Sequence, residues 1–467
     1  MPLSRSNHSL TSMRGAIIAF VIYLVAIVLS LCLMPGAPPV STAVTMIVLS
    51  MAGVMGLHRA HVATSASCTM LIIASTVLAV GVIANVWYFT TLSGGTDNMP
   101  VLHNIDARRT WGDAMYYLGQ STTRSYPSHG LTGMIYAGIF AFTGPSITAG
   151  LLASMAMTLI TLVCAAILGV RLSGDRTMAW KTMMATAAIC YLMASGMILI
   201  KDAWVIAAIA LSSVALTDMN SYKSLAPLTI SMAILMFMRP NMILAVLVGV
   251  AVFIIASRQQ LSRRMLTIAG VMLIIGIIFW IIPTRLHFTA PAIDVMTESL
   301  AGRDDVVDTT GWHKPYYDIV GNNSSIGHRL LMLPLSIAVQ FFIPFPWNFM
   351  RDVPFGLSQI YAHVAYPWYI FGAIFIYYLL IGRRHIDRRY MALSIWATII
   401  WLAPCWTIGG TASRYALPAV ALLAPAVVQT WNICHNKRSF KIFMTIFAVL
   451  AVITLLICHH VQSQVPQ

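Results

Sequence analysis

Charged side chains are scarce in this chain of 467 residues. Asp, Glu, Lys and Arg together make up 9% of the sequence, and only 14 residues are acidic. Hydrophobic residues make up 59%, and the mean hydropathy is +0.81. Soluble globular proteins are typically about 45–50% apolar. The composition therefore excludes an ordinary soluble domain.

Short segments that alternate apolar and polar residues, as a membrane β-barrel requires, are absent. Apolar runs of about 20 residues recur instead, each long enough to cross a bilayer core of about 30 Å. We therefore predict an all-α polytopic membrane protein, a single integral membrane domain over residues 1–467 with about 13 transmembrane helices. The predicted spans are 15–34, 41–57, 67–91, 147–170, 181–200, 203–218, 224–238, 241–257, 265–283, 365–382, 390–406, 416–432 and 441–459.

Paired cysteine motifs are also missing. No CxxC occurs, and all the cysteines lie in or beside apolar runs, which is typical of small packing residues rather than of a disulfide framework or a metal site. The seven are Cys32, Cys68, Cys164, Cys190, Cys405, Cys434 and Cys458.

The formal net charge of +14 does not indicate nucleic-acid binding, because the basic residues are scattered through short loops. Basic residues follow every even-numbered predicted span, and Lys and Arg are retained in cytoplasmic loops. We therefore expect a cytoplasmic N-terminus and an outer C-terminus. Of the acidic residues, only Asp175, Asp218 and Asp387 then fall on the inside.

Two long loops lie on the predicted outer side, 92–146 and 284–364, and both are expected to carry interfacial segments. The segment 330–350 is apolar enough to span, but its prolines interrupt a regular helix. We interpret it as re-entrant or lying at the interface, and the pattern leaves both possibilities open.

The first outer loop contains an unusually polar and aromatic stretch, Asn104–Gly130. Asp113 precedes Tyr116 by about one helical turn, so acid and aromatic ring can share a face. The candidate site residues in this stretch are Asp106, Asp113, Tyr116, Arg124 and His129.

The stretch continues into "LTGMIYAGIFAFTG", which is too short to span and is predicted to lie along the interface. An outer Asp before a Tyr, a proline, a short helix ending in "FTG" and then a span together resemble the GT-C superfamily of membrane glycosyltransferases. Protein O-mannosyltransferases and lipid A aminoarabinose transferases belong to it. The resemblance implies a polyprenyl-phosphate-linked sugar donor and an active site on the outer face of a bacterial inner membrane. It assigns the catalytic role to Asp113, with Asp106 as the rival.

Further candidates lie at the predicted outer ends of later spans: Lys201 and Asp202 in "LIKDAWV", Arg239 in "FMRPNM", and Arg414 and Tyr415 in "SRYALPAV". Glycosyl transfer requires a carboxylate for the acceptor proton and cations for the leaving phosphate. Arginine offers phosphate two parallel hydrogen bonds. The alternatives are that the arginines extend to lipid headgroups, and that Lys201 and Asp202 pair with other charges.

The second outer loop contains "GWHKPYY", in which Trp312 and His313 are candidate sugar-binding residues; a simple solvated loop is the alternative. Asp113 has its own structural alternative, as a helix cap or an ion-pair partner of Arg108 or Arg109. No spacing of ligands indicates a metal site, so we expect no cofactor, although a divalent cation is possible.

The sequence and its resemblance therefore predict a membrane glycosyltransferase that passes a sugar from a polyprenyl-phosphate carrier to a glycan or lipid acceptor on the non-cytoplasmic face. The first alternative is a polymerase or ligase of surface polysaccharide, which would depend on outer arginines and tolerate loss of Asp113. The second is a transporter of lipid-linked glycans, which predicts polar residues in mid-membrane.

Overall fold

The computed structural model of the chain describes most of the predicted spans and parts of the first outer loop. The described residues are 8–33, 40–92, 105–122, 131–219, 221–256, 263–285, 326–342, 366–385, 389–407 and 413–463.

Every regular element within these ranges is helical. The first nine α-helices are α1 (His8–Leu33), α2 (Val40–Arg59), α3 (Ser65–Trp87), α4 (Ile105–Tyr117), α5 (Thr132–Thr143), α6 (Ile147–Ser173), α7 (Met178–Ala187), α8 (Cys190–Ser195) and α9 (Asp202–Leu216). The other eight are α10 (Leu225–Met238), α11 (Met242–Ala256), α12 (Arg263–Arg285), α13 (Ile326–Phe342), α14 (Tyr366–Leu380), α15 (Arg389–Thr407), α16 (Val420–Cys434) and α17 (Arg438–Ser463). Short 3₁₀ segments at Tyr222–Ser224, Gly382–His385 and Ser413–Ala419 and a π-helical turn at Tyr88–Leu92 complete the described elements.

The prediction of an all-helical chain is confirmed for the described residues. Six helical stretches there are long and apolar enough to cross a membrane: Arg14–Leu33, Ser41–Arg59, Ser65–Trp87, Ile147–Ser173, Tyr415–Cys434 and Arg438–Ile457. Eight more are apolar but have only 10–17 residues. A 15-residue helix rises about 22 Å, less than the bilayer core of about 30 Å. The count of 13 spans therefore stays a prediction.

The fifth predicted span, 181–200, is wrong as a continuous helix. Helix α7 ends at Ala187, Ile189 has an extended backbone (φ −77°, ψ 93°), and α8 covers only Cys190–Ser195. Tertiary contacts stabilise the interruption: Asn85 Nδ2 of α3 donates to the carbonyl of Met197 at 2.6 Å. Irregular backbone is tolerated inside a membrane protein only where its polar groups find partners in this way.

The helices divide into a buried centre and an exposed periphery. In the most apolar windows, 78% of the residues are buried in the stretch Tyr415–Cys434, which contains α16, and 61% in α6, against 22% in α1 and 11% in α17. Nearly every residue of α9 is buried as well. The outer surface of α17 is apolar, because Val449, Leu450 and Leu456 are all exposed. Such a surface suits contact with lipid chains better than contact with water.

Hydrogen bonds between neighbouring helices define two ends of this arrangement. At one end Trp204 Nε1, in the first turn of α9, donates to Tyr136 Oη of α5 at 3.0 Å. At the other end Arg171 Nη1, in the last turn of α6, donates to the carbonyl of Val214 near the end of α9 at 2.7 Å. We call the first the Asp202 end, after the residue with which α9 begins.

The opposite end, which we call the Lys437 end, also contains the start of α7 and the junction of α16 with α17. Lys181 Nζ of α7 donates to Asn432 Oδ1 of α16 at 3.2 Å, three residues after α7 begins and two before α16 ends. The basic residues of these connections therefore lie at one end of the packed helices, and Asp202 lies at the other. The packing of α6, α7, α9 and α16 agrees with the predicted separation of loop charges.

The segment 330–350 contributes its first part to α13, which is helical as far as Phe342 despite Pro334. Two side chains of α14 bind the carbonyls that this helix end leaves open: Trp368 Nε1 donates to Phe341 O and Tyr369 Oη to Phe342 O, both at 2.7 Å. The end of α13 is thus packed against α14, and residues 343–350 lie outside the described residues.

Candidate functional site

Three of the predicted site residues, from three separate parts of the chain, meet at the Asp202 end. Arg239 Nη2 lies 3.1 Å from Asp202 Oδ1 and forms an ion pair with it. The Arg239 guanidinium carbon also lies 4.4 Å from the centre of the Tyr415 ring, which is cation–π distance. We call Asp202, Arg239 and Tyr415 the arginine cluster.

Local sequence explains why each member is at a helix end. Pro240 follows Arg239 and disfavours a helical conformation in the residue before it, and Arg239 accordingly adopts φ −160° and ψ 82° directly after α10. Asp202 occupies the first turn of α9, where the helix dipole favours a negative charge. Tyr415 lies in the 3₁₀ segment Ser413–Ala419, which packs against α9.

The arginine cluster is largely shielded from solvent. The side chain of Asp202 is 5% exposed and that of Arg239 is 17% exposed. A charge shielded to this degree depends on its partner, because removing one member leaves the other uncompensated. The exposed part of Arg239 retains N–H groups that Asp202 Oδ1 does not occupy, since a guanidinium has five donors. The arrangement can therefore present a pre-oriented cation to an anion.

Asp113, the predicted base, is fully buried in α4. Helix α5 crosses α4 at this residue so closely that only glycine fits at position 133. A Cβ atom at Gly133 would lie 2.5 Å from Asp113 Cβ and 2.8 Å from the Asp113 carbonyl carbon. In this conformation the Asp113 side chain has no exposure to solvent.

Helix α5 connects Asp113 to the arginine cluster. Thr132, the neighbour of Gly133, donates through Oγ1 to the carbonyl of Phe237 at 3.4 Å, two residues before Arg239. One turn on, Tyr136 Oη accepts the hydrogen bond from Trp204 and lies 3.3 Å from Ser154 Oγ. Helix α5 therefore lies between Asp113 and the chain segment that carries Arg239, and it contacts both.

Three other candidates have defined backbone positions near these groups. Lys201 directly precedes Asp202 at the start of α9, and the backbone of Arg414 lies beside Tyr415 in the 3₁₀ segment. Tyr116 is 40% exposed, unlike Asp113, and its ring packs edge-on against Tyr117 at 5.6 Å. Acid and aromatic ring are thus close along α4 but differ in their exposure.

The side chains of the remaining candidates lie outside the described residues. Asp106 lies in the first turn of α4, and its side chain is outside the described residues, as is that of Arg414. Arg124, His129, Trp312 and His313 lie wholly outside the described residues, together with most of the loop 284–364.

Neither a metal site nor a disulfide is seen among the described residues. They contain no group of three or more His, Cys, Asp or Glu side chains that could hold a metal ion. Five cysteines are free and buried, and Cys32 is free and exposed. The interpretation of cysteines as packing residues is confirmed for those five.

The residues that sequence reasoning missed are Gly133, Tyr136 and Trp204. The sequence does single out two of them, because Trp204 follows Asp202 by two residues and Tyr136 is the one tyrosine in α5. Both are buried, and their polar atoms bond to each other. Buried Tyr and Trp require such partners, but the sequence alone does not say which partner each finds.

Comparison with protein-family models gives no match for this chain, and comparison with curated proteins gives none either. The resemblance to the GT-C superfamily stays a prediction from the residues and motifs quoted for it.

Proposed function

We propose that this chain is a membrane glycosyltransferase that moves a sugar from a polyprenyl-phosphate-linked donor to a glycan or lipid acceptor. In the reaction an acceptor oxygen forms a bond to the anomeric carbon, the bond from that carbon to the phosphate oxygen breaks, and the acceptor proton goes to a carboxylate. Arg239 binds the phosphate, and Asp113 receives the proton.

The arginine cluster is the observation that carries this proposal. Three predicted substrate-binding residues from separate parts of the chain converge here, and Asp202 and Tyr415 orient the Arg239 guanidinium. The leaving phosphate gains negative charge as its bond to the sugar breaks. A cation held in advance stabilises that charge without having to reorganise.

The position of Asp113 supports the second role. Helix α5 links it to the segment that ends at Arg239, because Gly133 of α5 lies against Asp113 and the neighbouring Thr132 donates a hydrogen bond to the Phe237 carbonyl. Catalytic geometry often tightens or opens only when substrate binds, so burial in the free protein does not disqualify a base. The proposal requires that the contact between α4 and α5 loosen when acceptor enters.

The test is transfer of radiolabelled sugar from a polyprenyl-phosphate donor in membranes that contain the wild type, Asp113→Asn or Arg239→Lys. Asp113→Asn keeps the size of a buried side chain while removing its charge. We expect it to lower transfer by about 10²–10⁴-fold, the range for loss of a general base. Arg239→Lys keeps the positive charge but loses the planar donors, so we expect a higher KM for the donor.

Asp175→Asn is the matched control, because it removes an exposed carboxylate in the connection between α6 and α7, at the Lys437 end. It should transfer sugar at the wild-type rate. Normal transfer by Asp113→Asn at normal expression would remove Asp113 from the mechanism and make Asp106 the next candidate. Consumption of a lipid-linked oligosaccharide in place of the monophosphate donor would instead favour the polysaccharide polymerase.

A further inference from the structure

The hairpin between α16 and α17, at the Lys437 end, is held rigidly against α14. Phe440 is 3% exposed, and its ring packs edge-on against Tyr377 at 4.9 Å and against Trp431 at 5.8 Å. Tyr377 Oη and Ser439 Oγ lie 3.0 Å apart and share a hydrogen bond. The polar side chains of this hairpin are therefore presented from a fixed backbone.

Four cations gather on this support: Arg383, Lys437, Arg438 and Lys441, which we call the basic corner. Lys437, Arg438 and Lys441 belong to the hairpin itself, and Arg383 lies in the 3₁₀ segment after α14 that packs against α16. Arg383, Arg438 and Lys441 are exposed. Within the described part of the chain none of the four forms an ion pair.

An exposed apolar strip begins directly beside this charge. Arg438, Ile442, Ile446 and Val449 follow each other at intervals of three or four residues, so they share one face of α17. Ile442, Ile446 and Val449 are 49%, 54% and 55% exposed. A cation at one end of an apolar strip matches a phospholipid, which has an anionic phosphate above its acyl chains.

An aromatic pair at the end of α16 packs beside the start of α17, where Trp431 contacts Phe440. Trp431 is 47% exposed and stacks on His435, with ring centres 5.6 Å apart and planes 14° apart. His435 Nδ1 lies 2.8 Å from the Trp431 carbonyl oxygen, which holds the imidazole in this orientation. Exposed tryptophan is enriched at the headgroup level of membranes.

We infer that the basic corner binds the phosphate headgroups of anionic phospholipids, whose acyl chains lie along the apolar face of α17. A soluble anion would use the cations but would leave the strip uncovered. Basic pockets at helix ends on the cytoplasmic side are a general means of lipid recognition. The Lys437 end is the side that the loop charges predict to be cytoplasmic.

This site is separate from the arginine cluster. Tyr415 precedes the start of α16 and the basic corner follows its end, and the helix alone rises about 22 Å over its 15 residues. The inference therefore does not depend on the proposed enzyme activity, and lipid binding can be measured without a sugar donor.

The test uses the purified full-length chain in a neutral detergent, with binding of phosphatidylglycerol and phosphatidylcholine followed by native mass spectrometry. The variant Lys437→Gln, Arg438→Gln, Lys441→Gln removes three charges of the basic corner. Each Lys or Arg near an anionic lipid surface contributes roughly fivefold in affinity. We expect the variant to bind phosphatidylglycerol about 100-fold more weakly and phosphatidylcholine unchanged.

A charge-matched control replaces three exposed cations that lie outside the basic corner, Arg59, Arg176 and Lys223, by Gln. This control should keep the preference for phosphatidylglycerol. An equal loss in both triple variants would overturn the inference, because it would show a diffuse effect of net charge. Inorganic phosphate that competes as well as phosphatidylglycerol would also overturn it, by identifying a soluble anion as the ligand.

The wild type alone supplies a second measurement that does not depend on folding of the variant. At about 1 M NaCl the screening length falls to about 3 Å, and the preference for phosphatidylglycerol over phosphatidylcholine should disappear. A preference that persists in high salt would contradict a role for the cations.

Discussion

The close crossing of α4 and α5 leads to a prediction whose size follows from the structure. A Cβ atom at position 133 would lie 2.5 Å from Asp113 Cβ, 2.8 Å from the Asp113 carbonyl carbon and 3.0 Å from the Ala114 amide nitrogen. Ordinary van der Waals contact requires 3.4–4 Å. The obstacles are mostly backbone and cannot rotate away, so Gly133→Ala requires the two helices to separate by roughly 1 Å. Overpacking of this kind costs about 1–3 kcal/mol.

Gly138→Ala is the matched control, because it lies on the same helix and its added Cβ would meet no atom within 4 Å. Alanine is favoured over glycine inside a helix by about 0.5–1 kcal/mol. Gly138→Ala should therefore raise the free energy of unfolding slightly, whereas Gly133→Ala should lower it by about 2 kcal/mol.

The assay is equilibrium unfolding in mixed micelles as sodium dodecyl sulfate is added, followed by tryptophan fluorescence. Sugar transfer is measured on the same preparations. Because Gly133 contacts Asp113 directly, its alanine variant should lose transfer activity even under conditions where it is folded. Equal stability of the two alanine variants would refute the close crossing of α4 and α5, and with it the placement of Asp113.

Three further predictions concern charged groups. Asp202→Asn should destabilise the protein by about 2 kcal/mol. In a double-mutant cycle, the variant that carries both Asp202→Asn and Arg239→Met should lose less stability than the two single variants lose in sum. Additive losses would show that the pair does not interact. Tyr415→Leu should lower stability in thermal unfolding by about 1 kcal/mol, whereas Tyr415→Phe should leave it nearly unchanged, because only the leucine removes the aromatic face above Arg239. Equal losses of stability in the two variants would argue against the cation–π contact. Hydrogen bonds from the Thr177 side chain and backbone hold the pKa of the exposed Asp175 carboxyl below its ordinary value of 3.8. The contribution of Asp175 to the free energy of unfolding is therefore present above pH 3.8 and is lost as the pH falls through the lower folded-state pKa. The stability deficit of Asp175→Asn, on the order of 0.5 kcal/mol because the group is exposed, should be constant near neutral pH and vanish in acid; a deficit that persists there would exclude this origin.

The helices were largely predictable because the backbone N–H and C=O groups of an apolar run find their hydrogen-bond partners within the run itself when it is helical. Predicted spans such as 147–170 and 203–218 correspond to α6 and α9 with ends that differ by a few residues. The fifth span failed for a physical reason. Its interruption is supported by Asn85 of α3, 112 residues away, which binds the carbonyl of Met197, and no local pattern announces such a partner.

The members of the candidate site could be named from the sequence, but their grouping could not. Each of Asp202, Arg239 and Tyr415 is a polar residue at the predicted outer end of an apolar run, which makes it a candidate. Their distances of 3.1 Å and 4.4 Å result from the packing of α9, α10 and the 3₁₀ segment. The same holds for Asp113, whose burial depends on a glycine in another helix.

Hydropathy along the chain predicts helices, several of which have the length and composition of membrane spans, and it predicts cations after alternate apolar runs. These properties depend on hydrophobicity and on spacing along the chain, which act locally. Tertiary packing, in contrast, sets which polar groups meet, where the fifth apolar run breaks, and how the rings of Tyr377, Trp431 and Phe440 support the basic corner. Those outcomes depend on contacts between residues far apart in the chain, whose partners are selected when helices pack at close range.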